Sequence, residues 1–402
     1  MTQDSWVERY TSLLPRISTH ARRTRLILCG LASCADAYIR LAEARALFTA
    51  QPSTEPSALA GELIRRTERG AGGEFFMNWP EGETWVEKNL RITNWGLGGT
   101  GAQAAQALTI LGARALISLG DRSERKLSVI HPDVLLADAS GLKRRGEWKG
   151  QPGSEPVHYI FEVAAGEQVG PVRASRSTRI IVRFAHHHLD RDPEFVRVSQ
   201  ENASTAGAAV VCGFNELADE SLSEELERAG QLLSEWRYRG LALIHLELGG
   251  YESVAVRDRV LSVLGPIVTS LGMSHTELGS FGGDDVVRQA SRFMAQFDLG
   301  RVCVHADHWA LTVTRDDPET ELESLLCGCL LASSRAESGI PCVPTRIPVA
   351  ARFRPPDWPL VGRSGNNSVV CCAAPYLEQP MATIGLGDTF LAGTLLVLGQ
   401  PR

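Results

Sequence analysis

The stretch Thr383-Ile384-Gly385-Leu386-Gly387-Asp388-Thr389-Phe390 leads into an apolar run at 391–398, which predicts a buried helix that begins at about Asp388 and ends at Gly399. Gly385 and Gly387 flank Leu386, and glycine permits the backbone to turn tightly. We expect the backbone N–H groups of such a turn to be exposed. The start of the helix adds unpaired N–H donors and the positive end of the helix dipole, so the stretch predicts an anion site. Asp388 is either the N-cap of this helix or a base beside a bound phosphate.

The composition narrows the class of protein. The chain has 402 residues, 44% of them hydrophobic and 22% charged, which is ordinary for a globular protein and enough for two domains. A net charge of -6 is not typical of a protein that binds nucleic acids or membrane surfaces, so we expect a small-molecule partner. Nine cysteines without a C-x-x-C pair favour buried, reduced thiols over disulfides or a zinc site. The N-terminus does not resemble a signal peptide, no apolar run approaches the ~18 residues of a membrane span, and we expect a cytoplasmic protein.

Strands that alternate with helices dominate both ends of the chain. Short apolar runs at 26–31, 208–213, 241–248, 266–271 and 302–313 are typical of buried strands, and amphipathic segments follow them. This order predicts a mostly parallel sheet covered by helices on both faces, which is an α/β/α sandwich.

The middle of the chain is more polar and contains two strand patterns, at 158–163 and 179–184. We expect a small β-rich lid that is inserted into a large α/β domain. The lid is predicted to consist of residues 38–90 and 121–199, and the large domain of residues 1–37, 91–120 and 200–402.

Polar features follow several of the predicted strands. Asp36, Glu247, Glu277, His305 and the loop 385–388 each lie at or near the carboxyl end of such a strand. Open α/β sheets bind ligands at this edge, so we expect the five features to belong to one site.

The residue types at this edge suit phosphoryl transfer, which depends more on positioning and charge neutralisation than on covalent chemistry. N–H groups at 385–388 can stabilise charge on a transferred phosphoryl group, and Asp388 can accept the proton of an attacking hydroxyl. Glu247 and Glu277 offer the hard oxygen ligands that Mg²⁺ prefers. The chain has no G-x-x-x-x-G-K-[ST] motif, which excludes a P-loop enzyme.

Three local patterns remain open to other interpretations. Residues 96–101 fit G-x-G-x-x-G between a strand and a helix, so a dinucleotide site, tight helix–strand packing and a loop for a hydroxyl-rich ligand are all possible. Taken alone, Asp36 is best explained as the cap of a helix that starts at Ala37. Taken alone, Glu74 is explained equally well as a functional carboxylate and as a solvated residue at the edge of a sheet.

Three motifs resemble the ribokinase-like superfamily and, more closely, its ADP-dependent sugar kinase branch of glucokinases and phosphofructokinases. The stretch 383–388 resembles the G-x-G-D signature, and His245-Leu246-Glu247 resembles the H-x-E motif. Ser274-His275-Thr276-Glu277 resembles the N-x-x-E motif, with Ser274 in place of Asn. The resemblance extends in order over nearly the whole chain. It implies a ribokinase-like fold with a lid, ADP as the phosphoryl donor and a sugar as the acceptor.

The resemblance also implies roles for individual residues. Asp388 is the implied catalytic base, and Mg²⁺ or another divalent cation is implied at Glu247 and Glu277. The implied anion hole consists of Gly385, Leu386 and Gly387. The implied sugar ligands are Asp36, Glu74, Gly98, Gly99, Thr100, His158 and Arg179, with Cys34 where the family's sugar-binding turn has Asn. The implied nucleotide contacts are Ser274, His305, Ala306 and Gly387.

These roles predict an ADP-dependent sugar kinase of glycolytic type. The acidic Glu74 favours a neutral, glucose-like acceptor and would repel a sugar phosphate. The departures at Cys34 and Ser274 leave two alternatives, an ATP-dependent kinase for a nucleoside or unusual sugar and a kinase-like binding protein without activity. We expect a monomer or homodimer that binds sugar and nucleotide, and neither nucleic acid nor membranes.

Overall fold

The described residues form three β-sheets, of eleven, five and two strands, in a computed structural model, which describes residues 2–153, 157–186, 188–283 and 285–401. The strands are β1 (Ile27–Cys29), β2 (Cys34–Arg40), β3 (Gly73–Phe76), β4 (Asn94–Gly98), β5 (Ala115–Ile117), β6 (Leu135–Asp138), β7 (Gly141–Arg144), β8 (Val157–Val163), β9 (Gln168–Val169), β10 (Val172–Arg173), β11 (Thr178–Arg183), β12 (Ala208–Val211), β13 (Ile244–Glu247), β14 (Ser270–Ser274), β15 (Arg301–His305), β16 (Trp309–Thr314), β17 (Val361–Ser364) and β18 (Asn367–Ala373). The α-helices are α1 (Gln3–Leu13), α2 (Ile17–Arg23), α3 (Arg45–Phe48), α4 (Glu55–Glu68), α5 (Gly82–Asn89), α6 (Thr100–Ile110), α7 (Glu124–Ser128), α8 (Pro193–Asn202), α9 (Asp219–Tyr238), α10 (Val254–Leu264), α11 (His275–Gly279), α12 (Val286–Phe297), α13 (Pro318–Ser338) and α14 (Leu386–Leu398).

The larger sheet has eleven strands in the order β17-β18-β16-β15-β14-β13-β12-β1-β5-β6-β7. The strands from β15 to β6 are parallel to their neighbours within that group, whereas β16, β18 and β17 at one end and β7 at the other pair antiparallel. The predicted single strand at 302–313 is therefore a hairpin of β15 and β16.

Helices bury both faces of this sheet. In β1, Ile27 and Cys29 pack into a core that includes residues of α6, α13 and α14. Leu28 packs into a second core with residues of α8, α9 and α12. Successive side chains of a strand point to opposite faces, so a continuously apolar strand is what a doubly covered sheet requires. The predicted three-layer sandwich with a mostly parallel sheet is confirmed.

A smaller sheet of five strands, in the order β3-β11-β8-β2-β4, has a core of its own that contains Ile39, Tyr159, Phe161, Val182 and Phe184. It is the small β-rich insertion that the sequence predicts; its action as a lid stays a prediction. Among the helices of the described residues, none combines the length and apolar character of a membrane span.

The sheets divide the chain at different places from the predicted domain boundaries. The strands β2 and β4 belong to the smaller sheet, although 1–37 and 91–120 were expected in the large domain. The strands β6 and β7 extend the larger sheet because β6 pairs with β5. We propose that β2 and β4 belong to the small domain and that β6 and β7 belong to the large domain. Residues 154–156 and 187 of the predicted lid lie outside the described residues.

Two of the alternative interpretations are wrong. Asp36 lies inside β2, so it does not cap a helix that starts at Ala37. The segment 96–101 begins in β4, which runs antiparallel to β2 in the smaller sheet, while the next strand, β5, lies in the larger sheet. No βαβ unit forms there, and a dinucleotide site of that type is excluded.

Candidate functional site

The N-terminus of α14 lies at the centre of the site. The helix begins at Leu386, two residues earlier than predicted, and Gly385 is its N-cap. Gly385 has a φ of 69°, in the left-handed region that favours glycine. The N–H groups of the first helical turn have no acceptor within the helix, so they can bind an anion.

Asp388 is the third residue of α14, so its interpretation as the N-cap is wrong. Its carboxylate accepts a hydrogen bond from the Thr100 side chain. Burial raises the pKa of Asp388, while Arg335 and the hydrogen bond from Thr100 act in the opposite direction. A carboxylate with a raised pKa is a stronger proton acceptor, which suits a general base.

Arg335 of α13 is a buried residue that the sequence analysis did not identify. Its Nη1 donates to the Gly385 carbonyl at 2.8 Å and to Thr389 Oγ1 at 2.9 Å, and its Nη2 donates to Gln103 Oε1 at 2.7 Å. Since Gln103 belongs to α6, one guanidinium joins α6, α13 and the start of α14. The one signal in the sequence is an arginine within the apolar and small-residue run 324–336.

Glu247, at the end of β13, lies between two histidines. Its Oε2 is 2.8 Å from His245 Nε2, and its Oε1 is 3.4 Å from His305 Nε2. Burial alone would raise the pKa of Glu247, but the hydrogen bonds from the two histidines outweigh it and lower the pKa to about 2. Glu247 is therefore an anion near neutral pH, as a cation ligand must be.

A buried hydrogen-bond chain behind Glu247 determines the tautomer of His245. Arg301 Nη1 donates to Ser270 Oγ at 3.4 Å, and Ser270 Oγ lies 2.8 Å from His245 Nδ1. A guanidinium cannot accept, so Ser270 is free to donate its one proton to Nδ1. Burial lowers the pKa of His245, so the ring is neutral and its remaining proton is on Nε2, which donates to Glu247.

Replacing Ser270 with Ala should therefore change the tautomer of His245. We expect the Nε2–H form to lose population, which ¹⁵N chemical shifts of histidine-labelled protein measure. The free energy of unfolding should fall by about 1–3 kcal/mol because a buried acceptor loses its donor. Ser262→Ala, at an exposed serine of α10, is the matched control and should change neither quantity. An unaltered tautomer in Ser270→Ala would contradict this assignment.

Ser274 and Glu277 form a capping box at the start of α11. The Ser274 N–H donates to Glu277 Oε2 at 2.6 Å, and the Glu277 N–H donates to Ser274 Oγ at 3.2 Å. Burial raises the pKa of Glu277, and the hydrogen bond from the Ser274 backbone opposes that rise. Ser274 thus caps α11, a position that Asn also favours, and the box uses only one oxygen of Glu277.

His305 connects this end of the sheet with α14. Its ring lies 5.1 Å from that of Phe390, and a Cβ built on Gly387 would be 3.2 Å from its Cε1. Ala306 follows in the turn between β15 and β16, where its N–H donates to the Trp309 carbonyl. The structure therefore brings His305, Glu247 and the loop 385–388 together, as the sequence predicts.

A second group of side chains, the acceptor cluster, consists of Cys34, Asp36, Glu74, His158 and Glu216. Asp36 and His158 are paired residues on β2 and β8, with 3.7 Å between Asp36 Oδ1 and His158 Nδ1. Glu216 Oε2 lies 3.4 Å from His158 Nε2. Burial raises the pKa of Asp36 to about 6.

Glu216 was not predicted as a member of the acceptor cluster, although it follows the buried strand β12 in the way that Asp36 follows β1. Glu74 lies on β3, an edge strand of the smaller sheet as that interpretation expected, and Arg183 donates a hydrogen bond to it. Glu74, His158 and Glu216 each place a ligand atom within 4.8 Å of the other two.

The loop 98–100 links the acceptor cluster to Asp388. Gly98 pairs with Cys34 across β4 and β2, and a Cβ at Gly98 would collide with both Cys34 and Asp36. Gly99, with a φ of 88°, is the N-cap of α6, and Thr100 begins this helix. Because Thr100 donates to Asp388, a hydroxyl bound at this loop would lie near the carboxylate.

Arg179 lies apart from the acceptor cluster. Its Nη1 donates to Thr383 Oγ1 in the segment before α14, and its Nε donates to Glu162 Oε1 at 3.0 Å. This contact joins the smaller sheet to the stretch 383–388. The role of Arg179 as a sugar ligand stays a prediction.

Known proteins resemble this chain over most of its length. A family model described as the ADP-specific phosphofructokinase/glucokinase conserved region matches residues 26–284. The ADP-specific phosphofructokinase of Thermococcus zilligii is 23% identical over 392 residues, which cover 84% of each chain. The ADP-dependent glucose/glucosamine kinase of Pyrococcus abyssi is 23% identical over 270 residues, or 58% of this chain and 59% of that protein.

Solved structures share the fold. A structure described as an ADP-dependent kinase complex with fructose-6-phosphate and ADPβS has a TM-score of 0.81 at 18% identity, with 99% of each chain covered. A structure described as the last common ancestor of ADP-dependent phosphofructokinases from Methanosarcinales has a TM-score of 0.77 at 19% identity, with 100% of each chain covered.

Proposed function

The chain belongs to the ADP-specific phosphofructokinase/glucokinase family, and from that premise we propose that Asp388 is the general base of its phosphoryl transfer. It is a sugar kinase that uses ADP as the phosphoryl donor. The observation that carries the assignment of the base is the position of Asp388. The carboxylate is in the first turn of α14, beside unpaired N–H groups and hydrogen-bonded to Thr100 at the edge of the acceptor cluster.

In the proposed mechanism, Asp388 takes the proton of the acceptor hydroxyl as its oxygen attacks the β-phosphorus of ADP. The bond from that phosphorus to the bridging oxygen breaks, and AMP leaves. The N–H groups of Leu386 and Gly387 stabilise the charge on the transferred group. Arg335 holds these donors through the Gly385 carbonyl, so they are oriented before the substrate binds.

Glu247 and Glu277 would hold Mg²⁺ or another divalent cation. Their carboxylate oxygens fit such an ion, since Mg²⁺ prefers hard oxygen ligands and Glu247 is ionised. The bound cation would neutralise charge on the ADP phosphates. His245 and His305 orient the Glu247 carboxylate from its two sides.

For the acceptor, we propose a neutral, glucose-like sugar. Asp36, Glu74 and Glu216 place three carboxylates around His158, and carboxylates suit sugar hydroxyls and repel a sugar phosphate. The nearby Arg183 already donates to Glu74, and Arg179 donates to Glu162 and Thr383. Fructose 6-phosphate is the second candidate because the Thermococcus relatives are named ADP-specific phosphofructokinases.

A coupled product assay tests this proposal. The purified chain with Mg²⁺ and either ADP or ATP is offered glucose, glucosamine, fructose 6-phosphate and nucleosides. AMP formation with ADP and a neutral hexose is the expected result. Turnover with fructose 6-phosphate alone would overturn the assignment of a neutral acceptor. Turnover with ATP alone would overturn the assignment of ADP as the donor. No turnover with any donor–acceptor pair would favour a binding protein without kinase activity.

The variant Glu74→Gln should weaken discrimination against sugar phosphates. The amide is a weaker acceptor for a sugar hydroxyl than the carboxylate, and the change leaves the Arg183 cation without its counter-ion. We expect kcat/KM for glucose to fall and the ratio of fructose 6-phosphate to glucose turnover to rise by about 10-fold or more, equivalent to about 1.4 kcal/mol. Glu68→Gln, on the exposed side of α4, is the control. An unchanged ratio would remove Glu74 from acceptor selection.

A further inference from the structure

Cys34 brings a soft ligand to the acceptor cluster. Its Sγ lies 3.2 Å from His158 Nδ1 and 3.5 Å from Asp36 Oδ1, and these two atoms are 3.7 Å apart. The three donors come from β2 and β8 and are all buried. No zinc motif is visible in the sequence because His158 lies more than a hundred residues away from Cys34 and Asp36.

The triangle of donor atoms has the size of one face of a zinc tetrahedron. Zinc bonds of about 2.3 Å to sulfur and about 2.0–2.2 Å to nitrogen or oxygen place tetrahedral ligand atoms roughly 3.3–3.6 Å apart. The observed separations of 3.2, 3.5 and 3.7 Å differ from these by only a few tenths of an ångström. Three protein ligands of this kind leave a fourth position for water or another ligand.

Glu216 completes the arrangement from the far side of the imidazole. Its Oε2 lies 3.4 Å from His158 Nε2, while Nδ1 faces Cys34 and Asp36. A carboxylate that receives the second N–H of a ligating histidine is a common feature of zinc sites, because it orients the ring and strengthens its donor nitrogen. The cluster also holds three carboxylates against His158 and Arg183, so a cation is electrostatically favoured.

We propose that Cys34, Asp36 and His158 bind one Zn²⁺, with Glu216 as the positioning residue for His158. Binding requires the thiol proton of Cys34 and any proton on His158 Nδ1 to be released to solvent, so that the thiolate and the neutral imidazole bind the ion. If the acceptor sugar binds at Asp36, as in the proposed function, zinc held here competes with it. Only this competition rests on the proposed function, and the zinc site does not.

Zinc titration of the metal-stripped full chain tests the site, with bound metal measured by equilibrium dialysis and calorimetry. We expect one Zn²⁺ per chain for the wild type and for Cys342→Ser, which removes the one cysteine that is not fully buried. Cys34→Asn, which restores the family's residue, should weaken zinc binding by at least about 100-fold, and Glu216→Gln by about 10–100-fold. Absence of bound zinc in the wild type, or equal affinity in Cys34→Asn, would overturn the proposal.

A kinase assay at saturating Mg²⁺ and ADP separates this proposal from the proposed function. Zinc inhibition that competes with the sugar in the wild type, and that is relieved in Cys34→Asn, supports both. Zinc bound at the cluster without competition supports the metal site and overturns the placement of the acceptor at Asp36.

Discussion

Replacing Asp388 with Asn should lower kcat by about 10²–10⁴-fold, the usual contribution of a general base. The amide keeps the shape of the side chain and its place beside Thr100, but it cannot accept the proton of the acceptor hydroxyl. Burial raises the pKa of Asp388, so the folded protein carries this charge at a cost. The neutral variant should therefore be at least as stable as the wild type, and ADP should still bind.

Three measurements check this expectation: single-turnover AMP formation, ADP binding by calorimetry, and the free energy of unfolding. Asp133→Asn is the matched control, because Asp133 is exposed and pairs with Arg144 at the surface, where ion pairs contribute little. If Asp388→Asn kept most of its rate, the base would have to be another group. Lost ADP binding would instead point to a role in the nucleotide site.

Replacing Arg335 with Leu should have the second-largest effect, on both stability and rate. Hydrogen bonds from a charged donor contribute roughly 1.5–3 kcal/mol each, and Arg335 makes three. The cost of burying its charge offsets part of their sum, so we expect the free energy of unfolding to fall by about 3 kcal/mol or more. The first turn of α14 would also lose the contact that holds Gly385. Misplaced oxyanion donors typically reduce kcat by about 10²–10³-fold, and we expect a loss of that size.

The pH profile distinguishes this role from a purely structural one. Arg335 lowers the pKa of Asp388, so its removal raises that pKa further. A base must be deprotonated to act, and the acidic limb of kcat should therefore move to higher pH. Arg335→Lys, which keeps the charge, should shift the limb less. Arg346→Leu is the control, since Arg346 is exposed in a surface ion pair and should change stability by less than about 0.5 kcal/mol.

An unshifted acidic limb in Arg335→Leu would mean that Arg335 acts on folding alone. Equal loss of stability in Arg346→Leu would mean that the effect is not specific to the buried contacts.

The G-x-G-D loop and the H-x-E motif were recognisable in the sequence because their geometry is local. A glycine N-cap, a helix dipole and the two-residue repeat of a strand depend on neighbours in the chain. That is why the loop 385–388, Glu247 and His305 could be assigned to one edge of a sheet in advance. The alternation of strands and helices predicted the α/β/α fold, and the family resemblance then extended over nearly the whole chain.

Residues whose partners lie far along the chain could not be predicted from the sequence. Periodicity does not say whether the one arginine of α13 turns inward, so Arg335 was missed. Arg179 was predicted as a sugar ligand, and its contact with Thr383 was not foreseen. Asp36 suggested a helix cap because its strand partners on β4 and β8 lie far along the chain.

Local spacing was thus sufficient for the fold class and the phosphate end of the site, because those features follow from the backbone conformation of consecutive residues. Strand register and helix packing between distant segments determined the other features. These are the acceptor cluster, the buried hydrogen-bond chain behind Glu247 and the hydrogen bonds of Arg335 to the start of α14. The pairing of distant segments is determined by how the whole core buries its apolar side chains, and no short stretch of sequence contains that information.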